Sequence, residues 1–203
     1  MVQTEKTQSK ITPQKALKML MEGNARYVEN RGNVRDLQDQ VKKTSKGQYP
    51  FAVILSCIDS RVPVELVFDQ GIGDVFSARV AGNVVNEDML GSIEYGCKVA
   101  GSKIVLVLGH SSCGAVTAAC KDVKLGNITP LLSKIQPAVK QVMKKGVKLS
   151  PDIIQKVSDV NVSYGISRIR KESKILADME KKGEIMILGA MYDVKNGTVS
   201  ILK

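Results

Sequence analysis

The 203-residue chain has no tryptophan, one histidine, four cysteines and only 4% aromatic residues. Each scarcity excludes something. Four cysteines are too few to staple a disulfide scaffold of this size. One histidine rules out any mechanism that needs two. So few aromatic rings leave little on which single-stranded nucleic acid can stack. No apolar run approaches the roughly 18 residues of a membrane span, and the polar start from Met1 to Lys10 lacks the charged-then-apolar pattern of a leader. The expectation is a cytoplasmic chain without membrane association. A periplasmic or secreted location stays open if a leader has been removed.

The rest of the composition is that of a globular protein. Hydrophobic residues at 43% and charged residues at 25% exclude a disordered chain. The length suits one well-cored domain, read as a helical arm over residues 1–46 followed by an α/β core over 47–203. Lys and Arg exceed Asp and Glu by 30 to 20, a formal charge of +10. Such a balance invites a nucleic-acid reading. The basic residues are spread, however, as Lys42, Lys43 and Lys46, then Lys140, Lys144, Lys145 and Lys148, then Lys171, Lys174, Lys181 and Lys182. They fall on the polar faces of helix-like segments. They read as solvated surface that weakly attracts anions, with no nucleic-acid partner.

Thr12-Pro13 is an N-cap followed by proline at the first helical position, and Leu17, Leu20, Met21 and Val28 form an apolar stripe, predicting a helix over 12–30. A polar helix over about 34–46 follows. Lying before the first strand, both helices are placed to pack on a partner subunit rather than on their own sheet. Phe51–Ser56 is a continuous apolar run, the mark of a strand buried on both faces. Val75–Val80 and Lys103–Gly109 are further strands, and Glu184–Ala190 is a fourth. Asn86 caps a helix running to about Val99, residues 114–122 start another, and Thr129-Pro130 and Ser150-Pro151-Asp152 open two more. Asn196-Gly197 is a hairpin signal that turns residues 199–202 back antiparallel. Strands alternating with helices predict an α/β fold with a mainly parallel sheet: about four parallel strands and one antiparallel edge strand.

Two segments carry the chemistry. Ser56-Cys57-Ile58-Asp59-Ser60-Arg61 and Gly109-His110-Ser111-Ser112-Cys113-Gly114 each follow directly on a buried strand. Ligands of open parallel sheets sit at the carboxyl ends of strands. If these strands are neighbours, Cys57, His110 and Cys113 meet at one edge of the sheet. Taken singly, a cysteine at a strand end packs as a small hydrophobe and a lone histidine is a hydrogen-bonded core residue. Together, two thiolates and one imidazole form a soft three-ligand set suited to Zn²⁺. Asp59 either closes the site as a fourth ligand or bonds to Arg61 and leaves that position to water. Cys97 and Cys120 lie within predicted helices, lack metal spacing and read as packing residues.

These two motifs resemble the β-class carbonic anhydrases in residue type, spacing and order. The likeness extends through Ser77–Asn83, Gly91–Gly96 and Gly189–Asp193. It implies that Cys57, His110 and Cys113 bind one zinc ion per chain and that Asp59 and Arg61 form a catalytic dyad. Zinc-bound hydroxide, oriented by Asp59, would attack carbon dioxide to give bicarbonate and a proton. Gln48 would hydrogen-bond substrate across a dimer interface, Phe76, Ala81 and Tyr95 would wall the substrate pocket, and the Gly114 N–H would donate to the developing oxyanion. The resemblance implies a homodimer at least, or a homotetramer. Two departures bear on mechanism. Members inhibited by bicarbonate at a second site use a tryptophan where this chain has Ile54, and Arg79 alone does not make that site, so water rather than Asp59 is expected on zinc near neutral pH. With His110 a ligand, no histidine remains to carry protons away. The alternatives are a carbonyl sulfide or carbon disulfide hydrolase on the same scaffold and a non-catalytic zinc-stapled protein.

Overall fold

The structure is a computed structural model that describes residues 2–202. Helices α1 (Glu5–Gln8), α2 (Pro13–Val28) and α3 (Leu37–Thr44) precede strand β1 (Ala52–Ser56). Then follow α4 (Val64–Val67), β2 (Val75–Arg79), α5 (Glu87–Glu94) with a π-helical turn over Tyr95–Val99, and β3 (Ile104–His110). Helices α6 (Gly114–Cys120), α7 (Ile128–Ser133), α8 (Gln136–Val142), α9 (Pro151–Glu172) and α10 (Lys174–Lys181) lead to β4 (Met186–Tyr192) and β5 (Val199–Ile201). The five strands form one sheet in the order β2-β1-β3-β4-β5. The first four run parallel and β5 pairs antiparallel with β4. This is the α/β architecture that the alternation of elements predicts.

Side-chain alternation decides what each sheet face covers. Ala52 and Ile54 point to the same face as Ile104, Leu106 and Leu108, and there Ala16 and Leu20 of α2 and Val64 and Val67 of α4 cover them. Val53, Leu55, Val105 and Val107 point the other way, onto Ile93, Val162, Ile169 and Leu176 from α5, α9 and α10. Every residue of β1 and β3 is buried, which is why neither strand shows the apolar–polar alternation of a half-exposed one. A third cluster lies beyond the strand ends and packs Cys57 and Cys113 with Val116, Ile135, Val139 and Val157.

Two local readings need correction. Helix α2 packs on its own sheet: Ala16 and Leu20 are fully buried there. Asn24 donates from Nδ2 to the carbonyls of Val67 (3.0 Å) and Gly197 (2.8 Å), and its Oδ1 accepts from the Val199 N–H at 2.8 Å. Gly23 explains the close fit, since a Cβ there would lie 1.8 Å from the Phe68 carbonyl oxygen. Helix α7 also starts before the Thr129-Pro130 signal, at Ile128, because the Thr129 hydroxyl accepts from the Leu125 N–H at 2.8 Å and braces the preceding turn. The other capped starts form as read: Thr12, Asn86 and Ser150 each accept a backbone N–H at the head of their helices.

Asp69 ties the segment between α2 and α3 to the core. It is buried, and its carboxylate accepts from Arg26 Nε at 2.6 Å, from Asn33 Nδ2 at 2.7 Å and from Arg35. Burial pushes this carboxyl up, but the hydrogen bonds from Arg35, Arg26 and Asn33 outweigh it and hold it below the usual carboxylate range. The stability this gives is fully present above the unfolded carboxyl value near 4 and is lost as pH falls through the lower folded value. Asp69→Asn should therefore cost about 2 kcal/mol in urea unfolding at pH 7. The gap between native and variant should close in acid, and a gap that stays constant would refute the assignment.

Candidate metal centre

The site is built where β1 and β3 end side by side. Their parallel register pairs Ser56 with Leu108, so Cys57 emerges beside Gly109 and one step from His110. His110 is the last residue of β3. The chain then turns through Ser112, whose φ of 56° lies in the left-handed region, and brings Cys113 to the N-cap of α6. One short loop thus supplies two of the three donors. The Cys57, His110 and Cys113 ligand atoms all lie within 4.8 Å of one another, and all three residues are buried.

The donor set fits a zinc ion. His110 Nδ1 sits 2.9 Å from the Ser111 carbonyl oxygen, an acceptor only, so Nδ1 carries the proton and the lone pair is on Nε2. That Nε2 is buried with no hydrogen-bond partner, an expensive state for a polar atom unless something accepts its lone pair. The Cys113 thiol hydrogen-bonds to Cys57 and, against the pull of burial, holds the Cys57 thiol down to about 4. The Gly82 N–H, 3.3 Å from Sγ, adds to this. Cys113 is pushed up by the same hydrogen bond and by its own burial. A proton shared between two buried sulfurs is one that a divalent cation can replace.

Asp59 stands beside this cluster, gripped by Arg61. Arg61 Nε donates to Oδ1 at 2.9 Å, Nη2 to Oδ2 at 2.8 Å, and the Arg61 N–H to Oδ1 at 3.0 Å. The side-chain bonds from Arg61 are the main reason that the carboxyl is held down to about 2. His110 Nε2 is 3.9 Å from Oδ2, too far for a hydrogen bond. Both carboxylate oxygens are engaged by Arg61, beside the three converging donors. Arg61 also reaches the Ser112 carbonyl at 3.3 Å, joining the two loops.

The remaining expected site residues are placed unevenly. Gly114 begins α6 and is exposed, and a Cβ there would meet nothing within 4 Å. Ala81 heads the turn Ala81–Asn83 that approaches Cys57. Phe76 and Tyr95 meet edge to face, with ring centroids 6.2 Å apart, and line a cleft of about 710 Å³ with Val53, Ala78 and Arg79 along the outer edge of β2. The three metal-site residues do not line that cleft. Gln48 is exposed and precedes β1, at the opposite end of the strand from Cys57. Within one chain it is not brought to the cluster.

Two supports escaped the sequence reading. Arg79 Nε donates to the Cys57 carbonyl at 2.9 Å and Nη2 to the Asp59 carbonyl at 2.6 Å, so one guanidinium bridges the backbone on either side of Ile58. Ser111 Oγ donates to Asp193 Oδ1 and accepts from the Val194 N–H, both at 3.0 Å, which anchors the His110–Cys113 loop to the end of β4. A strand-end arginine carries no sign of its target. The Gly189–Asp193 segment did mark Asp193, though without its partner.

Comparison with known proteins gives a consistent result. A family model described as carbonic anhydrase matches residues 52–199. The chain is 34% identical over 191 residues to carbonic anhydrase 2 of Mycobacterium tuberculosis, covering 91% of this chain and 90% of that protein. It superposes on the crystal structure of the β-carbonic anhydrase CafA of Aspergillus fumigatus with a TM-score of 0.74 and 27% identity, over 94% of this chain and 90% of that one. A tetrameric β-carbonic anhydrase of Sordaria macrospora shares the fold, with a TM-score of 0.73 and 22% identity over 81% of this chain and 87% of that one.

Removing any one donor should empty the centre. Cys57→Ser, His110→Ala and Cys113→Ser should each weaken zinc binding by more than about 100-fold, since changes outside the ligand shell alone cost 10–100-fold. Chelator competition reads this directly, and native-like affinity in any of the three would remove that residue from the donor set.

Proposed function

The chain belongs to the β-class carbonic anhydrases, and from that premise we propose that it interconverts carbon dioxide with bicarbonate and a proton at the Cys57–His110–Cys113 centre, with Asp59 and Arg61 as its working pair. The observation that carries this reading is the orientation of Asp59. Three buried soft donors converge, and the one nearby carboxylate is turned to Arg61. A structural zinc site is usually closed by four protein ligands, whereas a catalytic one keeps three and an open position. Zinc held here supplies Lewis acidity and brings the pKa of water it binds to about 7.

The chain's own residues do the rest. Asp59, ionised under the hold of Arg61, accepts a hydrogen bond from the attacking water and so turns a lone pair toward carbon dioxide. Arg61 keeps the carboxylate from swinging in among the donors. The Gly114 N–H, at the open N-terminal end of α6, donates to the oxygen on which charge develops. Phe76, Ala81 and Tyr95 give an apolar wall suited to a small non-polar gas. Gln48 reaches substrate only from a second copy of the chain, which makes a homodimer the smallest complete unit, with a homotetramer built on it. No second histidine exists in the chain, so the proton leaves through Asp59, a tyrosine, water or buffer.

Asp59→Ala should keep zinc and lose about 10²–10⁴-fold in kcat/KM for carbon dioxide in stopped-flow assays. Equal activity would remove Asp59 from the mechanism. Native turnover at saturating substrate should rise with buffer concentration, and a rate independent of buffer would refute the proton route. A higher kcat/KM for carbonyl sulfide or carbon disulfide than for carbon dioxide would reassign the substrate.

A further inference from the structure

We propose that Asn161, in the middle of α9, is a positioning residue of the metal centre that acts on Cys57 through the backbone of Gly82. Asn161 is 3% exposed and its Nδ2 donates to the Gly82 carbonyl at 2.9 Å. A buried amide on a buried carbonyl is ordinarily a packing pair. Here the same glycine donates its N–H to Cys57 Sγ at 3.3 Å. The two contacts belong to adjacent peptide planes that meet at the Gly82 Cα. Fixing one plane limits the rotation of the other.

The turn needs that hold. Gly82 has φ 69° and Asn83 φ 44°, two successive residues in the left-handed region, which is costly for the second. Asn83 Nδ2 is buried without a partner, and the turn's own closure is the Asn83 N–H to the Val80 carbonyl at 2.9 Å. A Cβ on Gly82 would lie 2.7 Å from Ile135 Cδ1, so Ile135 packs close on one side of the turn while Asn161 holds its carbonyl from another. The result is an N–H aimed at sulfur. Such a bond stabilises negative charge on a thiolate and tempers its donation to a metal.

The inference rests on the zinc-site reading above, and its test separates the two. Asn161→Asp keeps the shape but sets a carboxylate oxygen against the Gly82 carbonyl. Zinc affinity by chelator competition should fall by about 10–100-fold. In the cobalt-loaded protein, the thiolate-to-cobalt charge-transfer band should move to longer wavelength, because a sulfur relieved of its hydrogen bond gives up charge more easily. Val157→Ala supplies the contrast, since Val157 is fully buried on the same helix and packs in the same cluster as Cys57 and Cys113. It should lower the melting temperature and leave the band in place. A folded Asn161→Asp protein with native affinity and an unmoved band overturns the proposal, as does an equal band shift in Val157→Ala. If Asn161→Asp does not fold, Asn161→Leu is read by the same two measurements. If neither folds, NMR of the native chain loaded with a spin-active cadmium isotope decides. Coupling between the Gly82 amide proton and the metal, together with a slowly exchanging Asn161 side-chain amide, is expected, and absence of either overturns the proposal. A native chain that takes up no metal refutes both readings, whereas native loading with an unaltered Asn161→Asp refutes only this one.

Discussion

The parallel pairing of β1 with β3 is the constraint on which the rest depends. Each strand alone ends in a small polar loop of no particular chemistry. Paired in the register that sets Ser56 beside Leu108, they bring ligand atoms far apart in the chain within 4.8 Å of one another. Neighbouring strands lie about 4.8 Å apart, which is the scale on which Cys57 and His110 must meet. A slip of one residue would turn Cys57 to the other face of the sheet. Register is secured by burial: Val53 and Leu55 have to face α5 and α9, and Ala52 and Ile54 have to face α2 and α4. The cores on the two faces therefore set the geometry of a site that lies outside both.

Around that site, charge is arranged by hydrogen bonds more than by burial. Burial opposes ionisation of Cys57 and Asp59, yet both are held in the charged form, Cys57 chiefly by Cys113 and by the Gly82 N–H, Asp59 by Arg61. The contrast with Cys97 is instructive. It is equally buried, has no such donors, and its thiol is pushed up to about 12. Two cysteines of one chain thus become a candidate metal donor and a packing residue through the groups facing them.

Much of the fold was legible because its signals are local. The Phe51–Ser56 and Lys103–Gly109 runs, the Ser150-Pro151 cap and the Asn196-Gly197 turn each carry their meaning within a few residues. The metal donors were legible for a related reason: Cys57 and the His110–Cys113 pair sit at strand ends, and topology supplies their meeting. What escaped is what depends on distant partners. Nothing in the sequence around Arg79 points to the Cys57 and Asp59 carbonyls, and nothing around Asn161 points to a glycine 79 residues earlier. The placement of α2 failed for a further reason. An amphipathic stripe declares that a helix must cover something, and a sheet of the same chain and a sheet of a partner satisfy it equally. Asn24, which bonds to both α4 and the β5 hairpin, settled the choice.

The division between buried donors and a more open dyad also explains why the proposed chemistry needs a second chain. The donors, held inside, can be completed by one polymer. The proposed substrate side is less closed: β2 is the sheet edge, its residues are only half-buried or exposed, and Phe76 and Tyr95 face a broad cleft along it. A small apolar gas gains little from an open cleft, because apolar walls contribute only where they exclude water. Gln48 lies at the far end of β1, beyond reach of its own centre. In the proposed mechanism, a pocket that is both dry and furnished with that side chain is one that a neighbouring copy closes.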